Sequence, residues 1–227
     1  IQLAEKNKST ILRYGRDFKY ILNNGQWDWF GVKQKRLGLA YPAMRGSHQL
    51  LNASVALATL ESLSASFPVS QGAVRKGLAS VELPARFQVL PGKPTVILDV
   101  AHNPEAAEML SNNLDKIGFY PNTYAVVGIL SDKDAVGILK KTVGKIDFWL
   151  FASLNKDIAS NRNRSAESLL KALNSVKLGE NAECFKSPMD AFNSAAKLAA
   201  PNDRILVFGS FLTVSCVFDT AHTLGKG

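Results

Sequence analysis

The distribution of apolar and polar residues divides the chain into two parts with different periods. From residue 95 onward, short apolar runs rich in β-branched residues alternate with segments of helical period. The apolar runs predict strands at 95–100, 124–130, 148–153, 182–186 and 204–209, with helices between them at 104–117, 133–144, 165–174 and 188–199. This alternation is typical of a mostly parallel sheet with right-handed crossovers and helices on both faces. We therefore predict the α/β class, with a Rossmann-like domain.

The first part of the chain alternates apolar and polar residues over short segments and then becomes helical. Strands of an antiparallel sheet are expected at 10–14, 17–22, 27–32 and 37–41. Two helices follow, one capped by Ser47 and continuing to Leu63, the other at 70–80. The buried face of the first helix is expected to consist of Leu51, Val55, Ala58 and Leu63.

The two parts also differ in charge, and Pro84 marks the place where the pattern changes. We therefore predict a domain boundary that separates residues 1–85 from residues 86–227. The net charge of +8 lies mostly in the first part, where residues 1–86 carry twelve Lys or Arg against five Asp or Glu. A basic surface of this kind attracts polyanions, either nucleotides or nucleic acid, and the alternative is an ordinary solvated surface.

Composition argues against several classes of protein and site. No apolar run in the sequence approaches the about 20 residues that span a bilayer, so we expect no membrane association. Two cysteines without C-x-x-C spacing and three histidines argue against a zinc site and fit a reducing cytoplasm. The first strand of the second part is not followed by G-x-G-x-x-G, which argues against a dinucleotide-dependent oxidoreductase.

The most informative segment runs from 95 to 114 and predicts a strand, a short elbow and a helix. Asn103 is expected to cap the helix, with Pro104 at its first position. Asp99 and His102 lie in the elbow, at the carboxyl end of the strand, where open α/β sheets bind ligands. The alternative is that both side chains only satisfy backbone groups of the elbow. The other helices are expected to be capped by Ser131 with Asp134, by Ser165, and by Ser187 with Asp190.

Three motifs, in this order and spacing, resemble those of one enzyme family: HQLLNA at 48–53, LPARFQ at 83–88 and DVAHNPEA at 99–106. The likeness continues through 128–134 and 209–211, and so covers nearly the whole chain. The chain resembles the folylpolyglutamate synthases and the bifunctional dihydrofolate/folylpolyglutamate synthases of the Mur-ligase superfamily. The resemblance implies an ATP-dependent ligase with Mg²⁺ as cofactor, which adds L-glutamate to dihydropteroate or folate through an acyl phosphate. It also implies a cytoplasmic monomer that acts on small molecules, without nucleic acid.

The synthases that this sequence resembles carry a phosphate-binding loop that the sequence lacks. No G-x-x-x-x-G-K-[ST] loop, which would cradle nucleotide phosphates, occurs in the sequence. The family carries that loop and its magnesium ligands in an N-terminal region, so the resemblance implies a C-terminal fragment with no metal ligands of its own. We expect residues 1–85 to be the end of an ATP-binding domain, residues 86–227 to be the C-terminal ligase domain, and the fragment to be inactive alone.

The resemblance assigns four residues to the nucleotide. Arg86 suits phosphate because its guanidinium is planar and permanently charged. We expect it to bind ATP and act in catalysis, and the alternative is an ion pair between the domains. Asp99 is expected to accept hydrogen bonds from the ribose. Asn52 is expected to read the adenine edge, and the alternative is an ordinary helix residue. His102 is expected to touch the phosphates or transfer a proton, since imidazole exchanges protons near neutral pH, and the alternative is a structural histidine.

Two further residues are assigned to the incoming amino acid. Lys133 is expected to bind the carboxylate of glutamate, and Ser210 is a similar candidate after the last strand; the alternatives are a solvated lysine and an ordinary serine. Leu212 stands where close relatives often have a polar or aromatic residue, which puts a hydrogen-bonding role at 212 in doubt. His222 is expected in a mobile tail. The competing hypothesis for the whole chain is a non-catalytic basic α/β module that binds nucleic acid or nucleotide.

Overall fold

The computed structural model describes residues 2–44, 46, 48–155, 160–176 and 181–225. The chain divides into two compact units, Ile1–Leu83 and Pro84–Gly227. This division falls two residues before the boundary that the sequence predicts. Each unit has buried apolar clusters of its own.

The first unit consists of a three-stranded antiparallel sheet and helices. Its elements are α1 (Gln2–Lys6), β1 (Lys19–Asn23), β2 (Gln26–Phe30), β3 (Lys35–Leu39), α2 (Gln49–Ser62) and α3 (Gln71–Ser80). The sheet has the order β1-β2-β3, and both pairs are antiparallel. Trp27 and Trp29 alternate with the half-buried Asp28 and are fully buried, as the two-residue period of a strand requires. They belong to one cluster with Leu39, Leu50 and Leu57.

The helix α2 buries a different face from the one that its apolar residues predict. Its buried residues are Gln49, Leu50, Ser54, Leu57, Ala58 and Glu61, whereas Leu51, Val55 and the following Leu63 are 38%, 47% and 46% exposed. Two contacts determine which face of α2 turns toward the core. The Glu61 carboxylate accepts N–H bonds from residues 32–34, and the Ser54 carbonyl oxygen accepts one from the Trp29 indole. The predicted buried face is therefore wrong except for Ala58.

One further expectation for the first unit is wrong, and another lies outside the residues that the structure describes. The segment 10–14 does not form a strand, and Tyr14 makes only an isolated bridge to Phe18. The reason is a turn in which the Asp17 carboxylate accepts the backbone N–H of Arg13 at 2.8 Å, so the chain reverses before it can pair. The predicted cap Ser47 lies outside the described residues, and α2 begins at Gln49.

The second unit is a six-stranded sheet with helices on both faces. Its elements are β4 (Gln88–Leu90), β5 (Thr95–Leu98), α4 (Pro104–Leu114), β6 (Thr123–Val127), α5 (Ala135–Thr142), β7 (Phe148–Ala152), α6 (Ala166–Asn174), β8 (Asn181–Phe185), α7 (Pro188–Leu198), β9 (Arg204–Phe208) and α8 (Phe211–Leu224). The strand order is β4-β5-β9-β6-β7-β8. β4 runs antiparallel to β5, and every other neighbouring pair is parallel. The predicted α/β class with a mostly parallel, Rossmann-like sheet is confirmed.

Adjacent residues of the central strands enter opposite layers of the core. Ile97 and Phe151 pack with residues of α4, α5 and α6 on one face, whereas Leu98 and Leu150 pack with residues of α7 and α8 on the other. All four side chains are at most 2% exposed. Because successive side chains of a strand point to opposite faces and both faces are covered, these strands are continuous apolar runs in the sequence.

The helix starts follow the predicted caps with one exception. Asn103, Ser165 and Ser187 each accept an N–H bond from the residue three positions later. α5, however, begins at Ala135, where Asp134 alone accepts the Gly137 N–H. Ser131 takes no part in this cap, because the helix begins four residues after it; its N–H donates to the carbonyl oxygen of Arg162.

The predictions from sequence miss the first and last elements of this unit. β4 is only three residues long, too short to show a period. α8 carries exposed polar residues at four-residue spacing, Ser215, Asp219 and Thr223, so its helical period is present in the sequence although the helix is not among the predicted elements. His222, expected in a mobile tail, lies in α8, where its Nδ1 donates to the carbonyl oxygen of Phe218 and its Nε2 lies 3.2 Å from Nε2 of Gln88.

Candidate functional site

The parallel strands of the second unit end at a common edge, and loops that carry predicted site residues lie along it. β5 leads into the elbow at 99–103, β9 into Gly209 and Ser210, and β6 into the segment 128–134. Because β5, β9 and β6 are neighbours in the sheet, their loops follow one another along this edge. The predicted site residues on these loops are Asp99, His102, Lys133 and Ser210.

Arg86 is presented by a turn with an unusual backbone. The residues on both sides of it, Ala85 and Phe87, have φ angles of 59° and 48°, in the left-handed region that residues other than glycine rarely adopt. The Ala85 carbonyl oxygen accepts the Val100 N–H at 2.9 Å, and the Phe87 N–H donates to the Asp99 carboxylate at 2.8 Å. Ala85 and Phe87 are buried, whereas Arg86 is exposed. Backbone strain of this kind concentrates at functional sites, so the geometry supports a functional role for Arg86.

The carboxylate of Asp99 ties this turn to the elbow. Its Oδ2 accepts the Phe87 N–H at 2.8 Å, and its Oδ1 accepts the Ala101 N–H at 2.7 Å. Burial raises the pKa of Asp99 to about 6, although the two N–H donors and the nearby Arg86 favour the charged form. The side chain thus satisfies backbone donors, as the alternative interpretation holds, and ribose binding stays a prediction.

His102 and Arg86 both lie against Phe211, a residue that the sequence analysis did not select. The ring centroids of His102 and Phe211 are 6.4 Å apart, and the guanidinium carbon of Arg86 lies 5.6 Å from the Phe211 centroid. Phe211 is 57% exposed. We name these three residues the Phe211 cluster. The signal that points to it in the sequence is an aromatic residue directly after the Gly-Ser that ends the last strand.

The hydrogen bond of His102 decides which ring nitrogen faces a ligand. Its Nδ1 lies 2.8 Å from the carbonyl oxygen of Val100. Because a carbonyl oxygen only accepts, Nδ1 carries the hydrogen and the neutral ring keeps Nε2 as an acceptor. Nε2 is therefore the atom that can exchange a proton or a hydrogen bond with a bound molecule.

Lys133 lies in a cluster of charges on the loop after β6. Its ammonium nitrogen is 3.3 Å from Oδ2 of Asp132, and its side chain is 29% exposed. Arg162 donates to both oxygens of Asp132, at 2.9 and 3.0 Å. The hydrogen bond from Arg162 lowers the pKa of Asp132 to about 2, and the bond from Lys133 acts in the same direction. The loop thus presents a partly exposed lysine, and its role toward an amino acid stays a prediction.

Ser210 serves as the cap of α8. Its Oγ accepts the Thr213 N–H at 3.0 Å and shares a hydrogen bond of 2.7 Å with the Thr213 hydroxyl. The Thr213 hydroxyl also donates to the carbonyl oxygen of Gly128, and Ser210 is only 2% exposed. Leu212 packs against Leu130 and Leu154, an apolar contact in place of a hydrogen bond. The Ser210 hydroxyl is thus largely engaged within the protein.

Asn52 belongs to the first unit, on the exposed face of α2. Its side-chain nitrogen donates to Oε1 of Gln49 at 3.2 Å. Its amide oxygen has no hydrogen-bond partner among the residues that the structure describes, and the adenine-binding role stays a prediction.

The residues that the structure describes show neither a clustered set of metal ligands nor a helix that could cross a membrane. These residues hold no group of three or more His, Cys, Asp or Glu side chains suited to a metal ion. No helix among the same residues has the length and hydropathy needed to cross a membrane.

Residues 85–211 match the family model of the Mur ligase glutamate ligase domain. The match covers more than half of the chain. The chain belongs to the Mur ligase family. The matched range of this Mur ligase chain contains the Arg86 turn, the elbow and the loops after β6 and β9.

Relatives of this Mur ligase chain are synthases of folate metabolism. The dihydrofolate synthase/folylpolyglutamate synthase of Buchnera aphidicola subsp. Acyrthosiphon pisum is 34% identical over 94% of this chain and 49% of that protein. Escherichia coli FolC in complex with ADP is 32% identical with a TM-score of 0.79, covering 100% of this chain and 51% of that one. A bifunctional folylpolyglutamate synthase/dihydrofolate synthase with Mn, AMPPNP and L-glutamate bound is 33% identical with a TM-score of 0.78, covering 97% and 50%. The Mur ligase chain thus spans about half the length of the relatives it matches.

Proposed function

We propose that the chain is part of an ATP-dependent ligase that adds L-glutamate to dihydropteroate, to folylpolyglutamate, or to both. The observation that carries the proposal is its 33% identity to the Escherichia coli dihydrofolate synthase/folylpolyglutamate synthase over 99% of the chain. Relatives were solved with ADP and with Mn, AMPPNP and L-glutamate. These ligands support ATP, a divalent cation and glutamate as ligands of the proposed enzyme.

The proposed reaction has two steps. ATP phosphorylates the carboxylate of the folate substrate and leaves as ADP; the amine of L-glutamate then displaces phosphate and loses a proton as the amide forms. Arg86 neutralises charge on the transferring phosphoryl group, because its guanidinium is exposed and held beside the ring of Phe211. His102 contacts the phosphates or moves a proton at Nε2. A divalent cation, when bound, adds electrostatic stabilisation of the phosphates, with ligands outside the described residues.

The remaining residues keep their predicted roles in this proposal. Each Asp99 oxygen accepts one backbone N–H and retains a lone pair for a ribose hydroxyl. Asn52 reads the adenine edge with its exposed amide. Lys133 binds a carboxylate of glutamate with its ammonium group. Ser210 contributes least to glutamate binding, because it is buried and its hydroxyl caps α8.

The first unit supports the proposal that the chain is inactive alone. Of the sixteen large apolar side chains that are exposed among the described residues, twelve lie in residues 1–83. Leu51 and Val55 are two of these exposed side chains and form a stripe on α2. Together with Leu12 and Tyr14 they line a groove of about 490 Å³. An apolar surface of this extent is typical of a face that other protein covers. We propose that the missing half of the ligase, which supplies the phosphate loop and metal ligands, covers it.

The complete ligase is proposed to be a cytoplasmic monomer that acts on small molecules and not on nucleic acid. Cys184 and Cys216 are free thiols, which fits a reducing compartment. The competing basic binding module is not favoured by the likeness to ligases.

The test of the ligase proposal is a hybrid enzyme in which residues 1–227 replace the matched half of the Escherichia coli synthase. The purified hybrid receives ATP, Mg²⁺, L-glutamate, and either dihydropteroate or a folate, and mass spectrometry follows the glutamyl products. We expect ATP-dependent glutamylation by the hybrid and none by the 227-residue chain alone.

Three outcomes would contradict parts of this proposal. A folded hybrid that binds AMPPNP but glutamylates neither acceptor would contradict the ligase activity. Ligation by the isolated chain would contradict its dependence on a missing half. Salt-dependent retention of the chain on DNA, unaffected by nucleotide, would favour the basic binding module instead.

A further inference from the structure

The loop after β6 is held by hydrogen bonds from a second segment, which contains Arg162 and Arg164. The backbone of Arg164 pairs with that of Leu154, just beyond β7, through two hydrogen bonds of 2.9 and 3.0 Å. The carbonyl oxygen of Arg162 accepts the Ser131 N–H at 3.0 Å. Two arginines from one segment therefore lie against the loop at the carboxyl edge of the sheet.

Arg164 holds the backbone of this loop. Its Nη2 donates to the carbonyl oxygens of Ser131 and Lys133, at 3.0 and 2.9 Å. Burial lowers the pKa of this guanidinium, and its Nε is buried with no hydrogen-bond partner in the part of the chain that the structure describes. Because a charged group loses hydration in such a place, its two contacts to the loop have to offset that loss. Arg164 thus fixes the point from which the Lys133 side chain extends.

Arg162 acts on the side chains of the same loop. Its Nε and Nη2 donate to the two oxygens of Asp132 at 2.9 and 3.0 Å, a paired geometry typical of strong charge-assisted contacts. The Lys133 ammonium lies 3.3 Å from one of the same oxygens. Two cations therefore share one carboxylate, and Arg162 engages both of its oxygens.

We propose that Arg162 is a positioning residue that saturates Asp132 and so keeps the Lys133 ammonium available to the carboxylate of the incoming amino acid. This inference rests on the proposed function, in which Lys133 contacts glutamate. Without Arg162, Asp132 pairs with Lys133 alone and repels an anionic ligand. With Arg162 in place, one negative and two positive side chains leave an excess positive charge that attracts a carboxylate.

The first measurement uses the 227-residue chain without ligand and follows hydrogen exchange of the Lys133 ammonium group by NMR. Arg162→Ala should slow this exchange, because Asp132 then pairs with the ammonium more fully. Arg162→Lys keeps the charge without the paired geometry and should give an intermediate rate. Lys141→Ala removes an exposed ion pair with Glu108 and serves as the matched control, with the wild-type rate. Equal rates in all four proteins would overturn the inference.

The second measurement titrates the same proteins with L-glutamate and follows the Lys133 signals. Arg162→Ala should weaken binding about fivefold, Arg162→Lys less, and Lys141→Ala not at all. Unchanged affinity in Arg162→Ala, with a clear response at Lys133, would also overturn the inference. If the wild-type Lys133 does not respond to L-glutamate, the glutamate assignment of the proposed function fails, and the exchange rates alone then decide whether Arg162 controls Lys133.

Discussion

At the scale of single residues, the backbone on both sides of Arg86 distinguishes this site. Ala85 and Phe87 adopt left-handed φ angles, which cost on the order of 1 kcal/mol or more each in residues other than glycine. The Asp99 carboxylate offsets part of this cost by accepting the Phe87 N–H. The sequence points to Arg86 through its motif. It does not reveal the turn, because neither neighbour is Gly or Asn.

Replacement of Arg86 tests its assignment to phosphate. We expect Arg86→Ala to lower turnover of the hybrid enzyme about a hundredfold, since one charge-assisted contact to the transferring group is worth roughly 3 kcal/mol. The melting temperature should change little, because the side chain is exposed. Arg75→Ala, at an exposed arginine of α3, is the control and should leave turnover unchanged. Near-normal turnover of Arg86→Ala at saturating ATP would show that Arg86 has no such contact.

The titration of Asp99 gives a second prediction at this scale. Burial raises its native pKa to about 6, above the unfolded value of about 3.9, so the native state favours the neutral carboxyl. The resulting stabilisation is complete below about pH 4 and is lost as the pH rises through about 6. Relative to Asp99→Asn, the wild type should lose on the order of 2 to 3 kcal/mol of unfolding free energy between pH 4 and pH 7. Urea unfolding of both proteins measures this difference, and a difference independent of pH would contradict the raised pKa.

At the scale of elements, local signals predict most of the second unit, and packing decides the rest. Asn103, Ser165 and Ser187 cap their helices because each is followed by a helix whose N–H groups need an acceptor. The rotation of α2 could not be predicted, because it depends on Glu61 binding a distant turn. The Ser210 cap was missed for a different reason, because the helical period of α8 was not recognised. That period appears in polar residues that recur every four positions along the helix, Ser215, Asp219 and Thr223.

Gly128, directly after β6, packs closely against Thr213 of α8, and this contact can be tested by substitution. A Cβ atom at Gly128 would overlap the hydroxyl of Thr213, which donates to the carbonyl oxygen of Gly128 itself. Gly128→Ala should therefore lower the unfolding free energy of the second unit by about 1 to 3 kcal/mol. Gly144→Ala, where a Cβ meets no atom within 4 Å, is the matched control and should stay within about 0.5 kcal/mol of wild type. Native-state hydrogen exchange of the β6 amides measures both, and equal stabilities would contradict the contact.

At the scale of the whole molecule, the alternation of strands and helices predicts the sheet of the second unit because both of its faces are covered. Its strand order and the antiparallel β4 depend on pairing between distant residues, which local patterns do not show. The sequence motifs identify Arg86, His102 and Lys133 as candidates. The motif at 209–211 contains Phe211 but gives it no role, and Arg162 lies outside the motifs, because both residues act through contacts to other side chains.

We propose that Arg86 and His102, at the carboxyl edge of the sheet, bind the phosphates of a nucleotide. The most direct test is an NMR titration of the 227-residue chain with AMPPNP, with adenosine as the control that lacks phosphates. We predict shifts at the Arg86 side chain, His102 and Phe211 with AMPPNP and none at Arg86 with adenosine, and weaker binding in Arg86→Ala. Binding of AMPPNP that leaves these three residues unperturbed, or that Arg86→Ala does not weaken, would contradict the account.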